Sequence, residues 1–445
     1  MSKNIFFTKF SELSDRLDPS YYLPMYKELE NKLKKSGFKL KKLEEICEIS
    51  RGGSPRPIQE YLTKDSDGIN WIKIGDTKNI NKYIYKTKQK IKPSGVKHSR
   101  LVKDGDFILS NSMSFGKPYI MRTIGCIHDG WLLLRKKDNM ITEDFLYTIL
   151  STNLIYQFFK RVTIGGVVEN LNIELVKKII IPIPDITIQA KIVNKLDNAI
   201  RLKEQKEKEA QNKLDSIDSY LLKELGIELP SNEKESLEDR IFLRKFSNIS
   251  GERLDPFYIK NNKKYSNDNQ YKEVNVKSIA TIKKGKSITK DNITNGSYPV
   301  IAGGQTSPYS INRYNEDKNV ITISASGAYA GYVWYHSSKI FASDCNVVRS
   351  IDENIITTLY LFEILKAKQN YIYNLQQGAG QPHIYGKDIE PIKIPLPSID
   401  IQNKITNHIQ QLRDEAKELK EEAIKIYEDT KQEIENMILG EAYEI

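Results

Sequence analysis

The chain has 445 residues, 39% of them hydrophobic and 28% charged, and a formal net charge of +10 at pH 7. This length exceeds what one hydrophobic core can serve and predicts two to four globular domains. No run approaches the roughly 20 apolar residues of a membrane span, and no signal-peptide pattern opens the chain, so a membrane partner is not expected. The widely spaced Cys47, Cys126 and Cys345 disfavour a disulfide framework or a zinc ribbon and predict a cytoplasmic location.

The first half predicts an α+β lobe in which short strands lie between two helices. Residues 20–36 carry a helical pattern, and Glu143–Arg161 carries a second one that leads to a glycine-rich turn. The apolar runs between them are bounded by Gly, Pro and Asn, which is typical of an irregular, largely antiparallel sheet. The predicted strands are Leu43–Ile49, Ile69–Ile74, Phe107–Leu109, Tyr119–Met121, Trp131–Leu134 and, after the second helix, Val176–Ile183.

The second half repeats this order. Residues 5–22 recur as residues 241–258, and IPIPDITIQAKIVNKL at 181–196 recurs as IPLPSIDIQNKITNHI at 394–409. Internal repeats of this kind indicate duplicated structural units. The proline pairs, Pro182/Pro184 and Pro395/Pro397, are predicted to join each lobe to a following helix. The second half's predicted elements are strands at Val274–Ile282, Tyr298–Ile301, Val320–Ile323, Gly331–Tyr335, Asn346–Val348 and Ile389–Leu396, and a helix at Ile356–Tyr373.

Each half ends in a long helical pattern. In the second helix, apolar residues from Ile405 to Met437 step mostly by alternating three and four positions, which is a heptad seam. In the first, the seam is interrupted by the polar stretch 203–213 and resumes at Leu214. An antiparallel pair of these helices, with a lobe at each end, is favoured over two separate helices that each pack on their own lobe.

The positive charge is concentrated in the lobes. Net charge is +12 over residues 1–180, −1 over 181–245, +4 over 246–390 and −5 over 391–445. This distribution indicates lobes that meet a polyanion and helices that meet protein. A generally basic cytoplasmic protein, the alternative, would show no such segregation.

The richest basic segment is 78–103, which has nine Lys or Arg and no Asp or Glu. If Lys86, Lys88, Lys90 and Lys92 lie in one strand, they share a face and form a cationic row suited to a phosphate backbone. The alternative is a solvated edge strand whose lysines prevent aggregation. The absence of acidic residues favours phosphate binding.

Loops rich in glycine, amides and hydroxyls are the candidates for base reading. Glycine permits close backbone approach, Arg suits guanine, and Asn or Gln suits adenine. Each loop alone is a weak signal that is better explained as an ordinary turn, but corresponding loops with different side chains occur in both halves. The predicted DNA-binding residues are Arg51, Gly53, Ser54, Arg56, Lys82, Lys86, Lys88, Lys90, Lys92, Lys97, Arg100, Asn111, Ser112, Lys117, Gly165, Gly166, Gln305, Ser324, Ser326, Gln376, Gln377, Gln381 and His383.

The sequence lacks the common catalytic motifs. It has no G-x-x-x-x-G-K-[ST] phosphate loop, no H-E-x-x-H, no G-x-S-x-G and no Asn/Asp-Pro-Pro-Tyr element, and its five histidines show no metal-ligand spacing. A recognition module without catalytic or metal sites is therefore expected. Two alternatives stay open: a single-chain DNA-modifying enzyme, and a scaffold that binds nucleic acid or acidic protein without sequence specificity.

The order of lobe, helix, lobe, helix and the repeated IPIPDITIQAKI and IPLPSIDIQNKI resemble the specificity subunit of a type I restriction-modification system. The resemblance implies an α+β fold of two tandem α/β target recognition domains joined by two long antiparallel coiled-coil helices, with an internal pseudo-two-fold repeat. It places recognition domains at 1–186 and 231–399 (lobe one and lobe two) and conserved helical spacers at 187–230 and 400–445.

The same resemblance implies the function and the partners. Each lobe would read one half of a bipartite, asymmetric site on double-stranded DNA. Two methyltransferase subunits and two motor-nuclease subunits would join the chain, which would not itself be catalytic. The chain would need no cofactor of its own, since S-adenosylmethionine, ATP and Mg are expected on the partner subunits.

Overall fold

The computed structural model describes residues 6–13, 18–78, 80, 82–111, 115–163, 170–171, 173–226, 243, 270–289, 293, 295–378 and 380–441. The chain divides into two compact units. The first unit consists of residues 1–207 and 421–445, and the second of residues 208–420. Each unit therefore contains one lobe and a part of both long helices. The second copy of the N-terminal repeat, 241–258, lies outside the described residues apart from Leu243.

Within its described residues, the first unit holds twelve strands, seven helices that begin in it and the end of the second long helix (Ile399–Ile438). The helices are α1 (Pro24–Lys35), α2 (Leu43–Ile46), α3 (Ile58–Tyr61), α4 (Glu143–Leu150), α5 (Asn153–Thr163), α6 (Ile173–Lys177) and the start of α7 (Ile186–Leu225). The strands are β1 (Lys39–Lys42), β2 (Cys47–Arg51), β3 (Leu62–Thr63), β4 (Ile69–Ile72), β5 (Tyr83–Ile84), β6 (Gln89–Ile91), β7 (Arg100–Val102), β8 (Phe107–Ser110), β9 (Pro118–Met121), β10 (Gly125–Ile127), β11 (Trp131–Lys136) and β12 (Ile180–Ile183). Short 3-10 turns occur at Phe10–Glu12, Pro19–Tyr22, Ile74–Thr77 and Pro93–His98.

The second unit is a reduced copy of this plan. Its strands are β13 (Glu273–Asn275), β14 (Ala280–Lys284), β15 (Tyr298–Ile301), β16 (Ser310–Ile311), β17 (Val320–Ser324), β18 (Val333–His336), β19 (Phe341–Ala342), β20 (Cys345–Ser350) and β21 (Lys393–Pro395). Its helices are α8 (Val276–Ile279), α9 (Thr358–Ala367), α10 (Gln369–Tyr373), α11 (Gly386–Ile389) and the start of α12 (Ile399–Ile438), which follow the end of α7.

Corresponding sheets form in the two units. In the first, the strand orders are β1-β12, β3-β6-β4-β10-β7 and β2-β11-β8-β9-β5; in the second, β13-β21, β16-β15-β19 and β14-β20-β17-β18. Most neighbours are antiparallel, as the sequence predicts, but β4 and β10 pair in parallel, as do β5 and β9, and β15 and β19. The predicted α+β class and internal repeat are thus confirmed.

Several predicted elements are wrong in detail. The run Leu43–Ile49, predicted as one strand, opens with the four-residue α2 before β2 begins, and Val274–Ile282 is similarly divided by α8. The Glu45 carboxylate accepts the Lys42 N–H at 2.7 Å, which stabilises the first turn of α2. The runs Val176–Ile183 and Ile389–Leu396 likewise begin with the ends of short helices before their strands start.

The helix predicted after the central strands of each lobe is in fact two helices, whereas the one predicted over residues 20–36 is the single helix α1. The pattern Glu143–Arg161 forms α4 and α5, and Ile356–Tyr373 forms α9 and α10. At the break in the first unit, the Thr142 hydroxyl caps α4 by accepting the Phe145 N–H, and the buried Glu435 carboxylate accepts the Leu154 N–H of α5 at 3.0 Å. A carboxylate at a helix N-terminus satisfies unpaired N–H groups, so a new helix can start there.

Both long helices contribute to the core of each unit. Ile192 and Leu196 of α7 and Ile434 and Ile438 of α12 belong to the main core of the first unit. Ile217, Leu221 and Leu225 of α7 and Ile405 and Ile409 of α12 belong to that of the second. Fully burying one such side chain stabilises the fold by about 1.5–3 kcal/mol. The alternative in which each helix packs on its own lobe is therefore wrong.

Within each unit the two long helices run antiparallel. In the first, Lys195 pairs with Glu433 at 2.5 Å, and Lys206, eleven residues on, pairs with Glu422, eleven residues back, at 2.6 Å. In the second, the same spacing relates the pairs Lys213–Glu415 at 2.7 Å and Glu224–Lys404 at 3.2 Å. Exposed ion pairs contribute only about 0–1 kcal/mol each, so they fix the register more than they stabilise it.

Both long helices bury small side chains as well as large ones. Ala210 of α7 and Ala423 of α12 are fully buried, and they occupy equivalent positions in the two copies of the repeat. The polar stretch 203–213 does not interrupt α7, which is one helix of 40 residues. No helix in the described part of the chain has both the length and the apolarity for a membrane crossing.

The duplicated proline-and-glutamine stretch has the same contacts in both units. Gln189 is fully buried; its amide oxygen accepts the Thr142 N–H at 3.0 Å, and its amide nitrogen donates to the carbonyls of Met140 and Pro184, each at 2.9 Å. Its counterpart Gln402 makes the equivalent three bonds with the backbone of Thr357, Ile355 and Pro397. One glutamine side chain thus links the start of the long helix α7 to Thr142, the residue directly before α4.

Candidate nucleic-acid interface

The loop Gly52–Pro57 follows β2 and lies against the turn between β10 and β11. The Gly52 N–H donates to the Trp131 carbonyl at 2.9 Å, and the Gly53 N–H donates to the Ile127 carbonyl at 3.1 Å. A Cβ at Gly52 would lie 2.1 Å from the His128 carbonyl oxygen, which is backbone that cannot move aside. Glycine is therefore required for the close approach of the two segments.

Asp129 lies at the centre of this loop and binds its polar residues. Its carboxylate accepts the Ser54 hydroxyl at 2.7 Å and lies 3.7 Å from a terminal nitrogen of Arg56. Its backbone carbonyl accepts from Arg51 Nε at 3.1 Å. The hydrogen bond from Ser54, together with nearby positive charge, holds the pKa of Asp129 below its usual value. The carboxylate is therefore ionised at neutral pH.

Three exposed arginines lie on or beside this loop. Arg100, at the start of β7, donates from Nε to the Arg51 carbonyl at 3.4 Å and so lies beside the loop. Arg51 and Arg56 are also exposed, and Lys97 lies exposed one turn before Arg100. The predicted residues 51–56 and 97–100, separate in the sequence, are thus brought together on one surface. This surface suits contact with a polyanion.

The predicted lysine row is not one strand. β5 ends at Ile84 and β6 spans Gln89–Ile91, so Lys86 and Lys88 lie in the connection between them and Lys92 follows β6. Lys86, Lys88 and Lys92 are exposed, and Lys90 is half-buried. The ammonium groups of Lys90 and Lys92 donate to the carbonyls of Ser66 and Glu60, at 3.4 and 2.8 Å. The segment is basic and accessible, but its four lysines do not share one strand face.

Lys82 is wrongly predicted as a phosphate contact. It is buried, and its ammonium lies 2.8 Å from the Asp144 carboxylate and 3.2 Å from that of Asp197 on α7. Burial lowers its pKa, but the hydrogen bonds and charges of the two carboxylates outweigh this and raise it. Lys82 is a buried ion-pair partner that links the lobe to the long helix.

Other predicted residues of the first unit differ in exposure. Lys117 is exposed, whereas Asn111 is fully buried, so it cannot reach a base in this conformation. Backbone hydrogen bonds hold Asn111 in this position. Its N–H donates to the Gly130 carbonyl at 2.8 Å, and its carbonyl accepts the Leu171 N–H at 3.1 Å. Ser112, Gly165 and Gly166 lie outside the described residues.

In the second unit, the predicted residues lie on three loops, 303–306, 324–327 and 376–383, whose described parts meet. A Cβ at Gly303 would lie 2.5 Å from the Ser326 carbonyl oxygen, so the first two loops are in backbone contact. Ser326 and His383 form an isolated β-bridge, and Gln377 and His383 exchange both backbone hydrogen bonds at 2.9 and 2.8 Å. Loops far apart in sequence thus form one continuous surface, on which Gln305 and Gln381 are exposed.

Several hydrogen-bonding groups on this surface are already engaged. Ser324 is buried at the end of β17 and is wrongly predicted to contact DNA. The Gln376 amide nitrogen donates to the Ala330 carbonyl at 2.8 Å, and that of Gln377 donates to the Asp388 carboxylate at 2.7 Å. The Ser326 hydroxyl donates to the Asp344 carboxylate. These contacts fix the loop shapes. Beside them, the His383 ring stacks on the ring of the exposed Tyr385, with 6.0 Å between the ring centroids.

Asp129 and Asp344, which occupy corresponding turns, are not predicted from the sequence. Asp129 lies between β10 and β11, and Asp344 lies between β19 and β20. Gly285 approaches the Ser343 carbonyl as Gly52 approaches that of His128: in each case an added Cβ would lie 2.1 Å from the oxygen. One sequence signal could have indicated the two aspartates. His128-Asp129 and Ser343-Asp344 precede corresponding strands, β11 and β20. Among the described residues, no cluster of His, Cys, Asp and Glu could hold a metal ion.

Comparison with known proteins identifies the family. The chain matches the type I restriction modification DNA specificity domain over residues 35–216 and again over 268–426, which together are most of its length. The chain belongs to this family, which confirms the resemblance seen in the sequence. The duplicated match agrees with the two units of the fold.

Individual relatives are similar over parts of the chain. A putative type I specificity subunit of Mycoplasma pneumoniae is 29% identical over 162 residues, which cover 35% of this chain and 44% of the relative. A second from the same organism is 27% identical over 254 residues, covering 56% of this chain and 80% of the relative. The chain thus spans less than half the length of the first relative.

A solved structure has the same fold. It comes from work on complex assembly and conformational transition of the type I R-M system, and it aligns with a TM-score of 0.56 and 13% sequence identity. The alignment covers 91% of this chain and 98% of that one. At this identity the likeness concerns the fold alone.

Proposed function

We propose that this chain is the sequence-specific DNA-binding subunit of a type I restriction-modification complex, in which each lobe reads one half of a bipartite, asymmetric site. The observation that carries the proposal is a constant frame with variable loops. Gln189 and Gln402 make the same three bonds in the two units, whereas the loops near Asp129 and Asp344 carry different side chains. Membership of the DNA specificity family supports it.

The first lobe would supply most of the electrostatic attraction. Lys88, Lys92 and Lys97 are exposed on it, as are the arginines around Asp129. Such cations release counterions from DNA and so give an affinity that depends on salt but little on sequence. The second lobe, with Gln305 and Gln381 exposed, would contribute more through hydrogen bonds to bases.

The two long helices would set the distance between the half-sites. A helix of 40 residues is about 60 Å long at 1.5 Å per residue. DNA presents the same face every ~34–36 Å, so two lobes on a helical spacer could read neighbouring turns and leave the base pairs between them unread. Two weak contacts linked in this way act as one stronger contact through their effective concentration.

The catalytic steps would belong to partners in the cytoplasm. Two methyltransferase subunits would bind the helices and flip the target adenine, and two motor-nuclease subunits would complete the restriction complex. S-adenosylmethionine, ATP and Mg would be bound by those subunits. The neutral-to-acidic charge of the helical segments, −1 over 181–245 and −5 over 391–445, suits protein contacts better than DNA contacts.

Methylome sequencing of the host with and without this gene tests the proposal. We expect deletion to remove one bipartite adenine-methylation motif and to leave all others. Exchange of residues 231–399 for the same region of a homologue should then change one half of the motif and keep the other. Loss of no motif, or a change in both halves, would contradict the proposal.

Assays of the purified chain separate the rival functions. A purified chain that methylates or cuts DNA alone would favour a single-chain enzyme. Binding that is indifferent to DNA sequence, even with a methyltransferase partner present, would favour a scaffold.

A further inference from the structure

We propose that Asp129 is a positioning residue for base recognition: it orients Arg51, and with it Arg56 and Arg100, so that lobe one reads guanine. This inference rests on the proposed DNA-reading function and adds to it a base class for one half-site. It is carried by the geometry of a single turn, in which one aspartate contacts the loop through both its side chain and its backbone.

The first step is the way in which the arginines are held. Arg51 and Arg100 are each bound through Nε, Arg51 to the Asp129 carbonyl at 3.1 Å and Arg100 to the Arg51 carbonyl at 3.4 Å. A guanidinium bound through Nε still has both terminal nitrogens to direct elsewhere. Those two nitrogens form the pair that contacts O6 and N7 of guanine in the major groove. Both side chains are exposed, as this contact requires.

The second step is the role of the carboxylate. It accepts the Ser54 hydroxyl at 2.7 Å and lies 3.7 Å from Arg56, while the Asp129 N–H lies 3.5 Å from the oxygen of the same hydroxyl. Asp129 thereby closes the loop around Gly52 and Gly53. The carboxylate thus faces Arg56 while the carbonyl of the same residue holds Arg51, and the three arginines leave the surface positive. Rigid donors lose less conformational entropy when they bind a base.

The third step is the comparison with lobe two, where the frame is kept and the arginines are not. Asp344 occupies the corresponding turn and accepts the Ser326 hydroxyl. At the end of the strand equivalent to β2, Lys284 stands where the first lobe has Arg51. Lysine is a point donor and lacks the paired geometry of a guanidinium. The two corresponding aspartates should therefore affect different half-sites, and only Asp129 should affect guanine.

The test uses the full chain with its methyltransferase partner and a library of DNA duplexes in which both half-sites are randomised. Sequencing of the methylated products gives the base preference at each position. The wild-type chain should select guanine in one half-site. Asp129→Asn keeps the backbone carbonyl that holds Arg51 and can still accept the Ser54 hydroxyl, but it lacks the charge that faces Arg56. It should reduce that preference roughly ten-fold, the lower part of the range for one bidentate contact. The other half-site should not change.

Two further variants separate positioning from folding. Ser54→Ala removes the hydroxyl that holds the carboxylate and should reduce the same guanine preference without altering the charge. Asp104→Asn is the matched control, because Asp104 lies on the same lobe, is more exposed and is 3.5 Å from Arg122; it should leave every preference unchanged. Melting temperatures of all variants report whether each chain is folded.

The possible results have distinct meanings. A wild-type chain with no base preference would contradict the proposed function itself. A wild-type chain that selects bases, but no guanine in either half-site, would contradict this inference alone. A uniform loss of methylation in Asp129→Asn, with base preferences retained, would show a purely structural role and would also overturn it.

Discussion

The glutamine that joins the second lobe to its helix allows a quantitative test. Gln402 is fully buried; its oxygen accepts the Thr357 N–H at 2.9 Å, and its nitrogen donates to the carbonyls of Ile355 and Pro397 at 2.9 and 3.0 Å. Gln402→Ala leaves one N–H and two carbonyls without these partners in a buried site. At about 1 kcal/mol for each hydrogen bond removed, we expect the free energy of unfolding of the second unit to fall by roughly 3 kcal/mol.

Urea denaturation followed by tryptophan fluorescence measures this change. Trp334 lies in the second unit, whereas Trp71 and Trp131 lie in the first, so single-tryptophan versions of the chain assign each transition to a unit. Gln410→Ala is the matched control, because Gln410 is exposed on the same helix and should change stability by about 0.5 kcal/mol or less. Equal effects of the two variants would refute the reasoning, as would a destabilisation confined to the first unit.

Three other predictions concern charge, burial and spacing. Changing Lys88 and Lys92 to Gln should weaken binding to all duplexes. In titrations at several salt concentrations, the slope of log binding constant against log salt concentration should become shallower by about 0.9 for each phosphate that the chain no longer neutralises. Arg413→Ala should destabilise the second unit by about 3–5 kcal/mol, because it leaves the Glu363 carboxylate, bound at 2.7 Å, buried without its partner; denaturation at pH 7 measures this. Insertion of seven residues after Asn212 should lengthen the helix by about 10 Å and alter the spacer in the methylated motif.

The outcomes that would contradict these predictions are equally specific. An unchanged salt slope would mean that the exposed lysines of this segment do not contact phosphate. The destabilisation in Arg413→Ala should shrink as the pH is lowered, since burial already raises the pKa of Glu363 and a raised carboxyl pKa means that stability increases with protonation. A deficit independent of pH would refute this account. An unaltered spacer after the insertion would mean that the helices do not set it.

The frame of the fold could be predicted from the sequence because it depends on local patterns. The repeat of Ile-x-Gln-x-Lys-Ile marked the joint in both halves, and heptad spacing marked α12. The four-residue helices α2 and α8 were missed, since one turn is too short to show a helical period. The division of the pattern 143–161 was also missed, because the residue that caps α5, Glu435, is 281 positions from Leu154.

The candidate site was predicted by residue type but not by accessibility. Lys82 resembles its neighbours in the sequence, yet Asp197, 115 residues away, binds it inside the protein. Ser324 and Asn111 lie in loop-like sequences but are buried at strand ends. Asp129 shows the opposite error: the His128-Asp129 pair is visible in the sequence, but nothing there shows that the loop around Ser54, 75 residues away, closes on it. Long-range contacts decide such cases, and single-sequence patterns do not contain them.

The distribution of the long helices between the units has a consequence for the order in which the protein is made. The second unit is one continuous segment, 208–420, whereas the first needs residues 421–445 to complete a core that began forming near the N-terminus. During translation, the second unit can therefore close before residues 421–445 are made, whereas the first unit, although begun earlier, needs Ile434 and Ile438 to complete its core. A chain cut before residue 421 would keep all of the second unit, whereas the first unit would lack Ile434 and Ile438 and would expose the rest of that core to proteases.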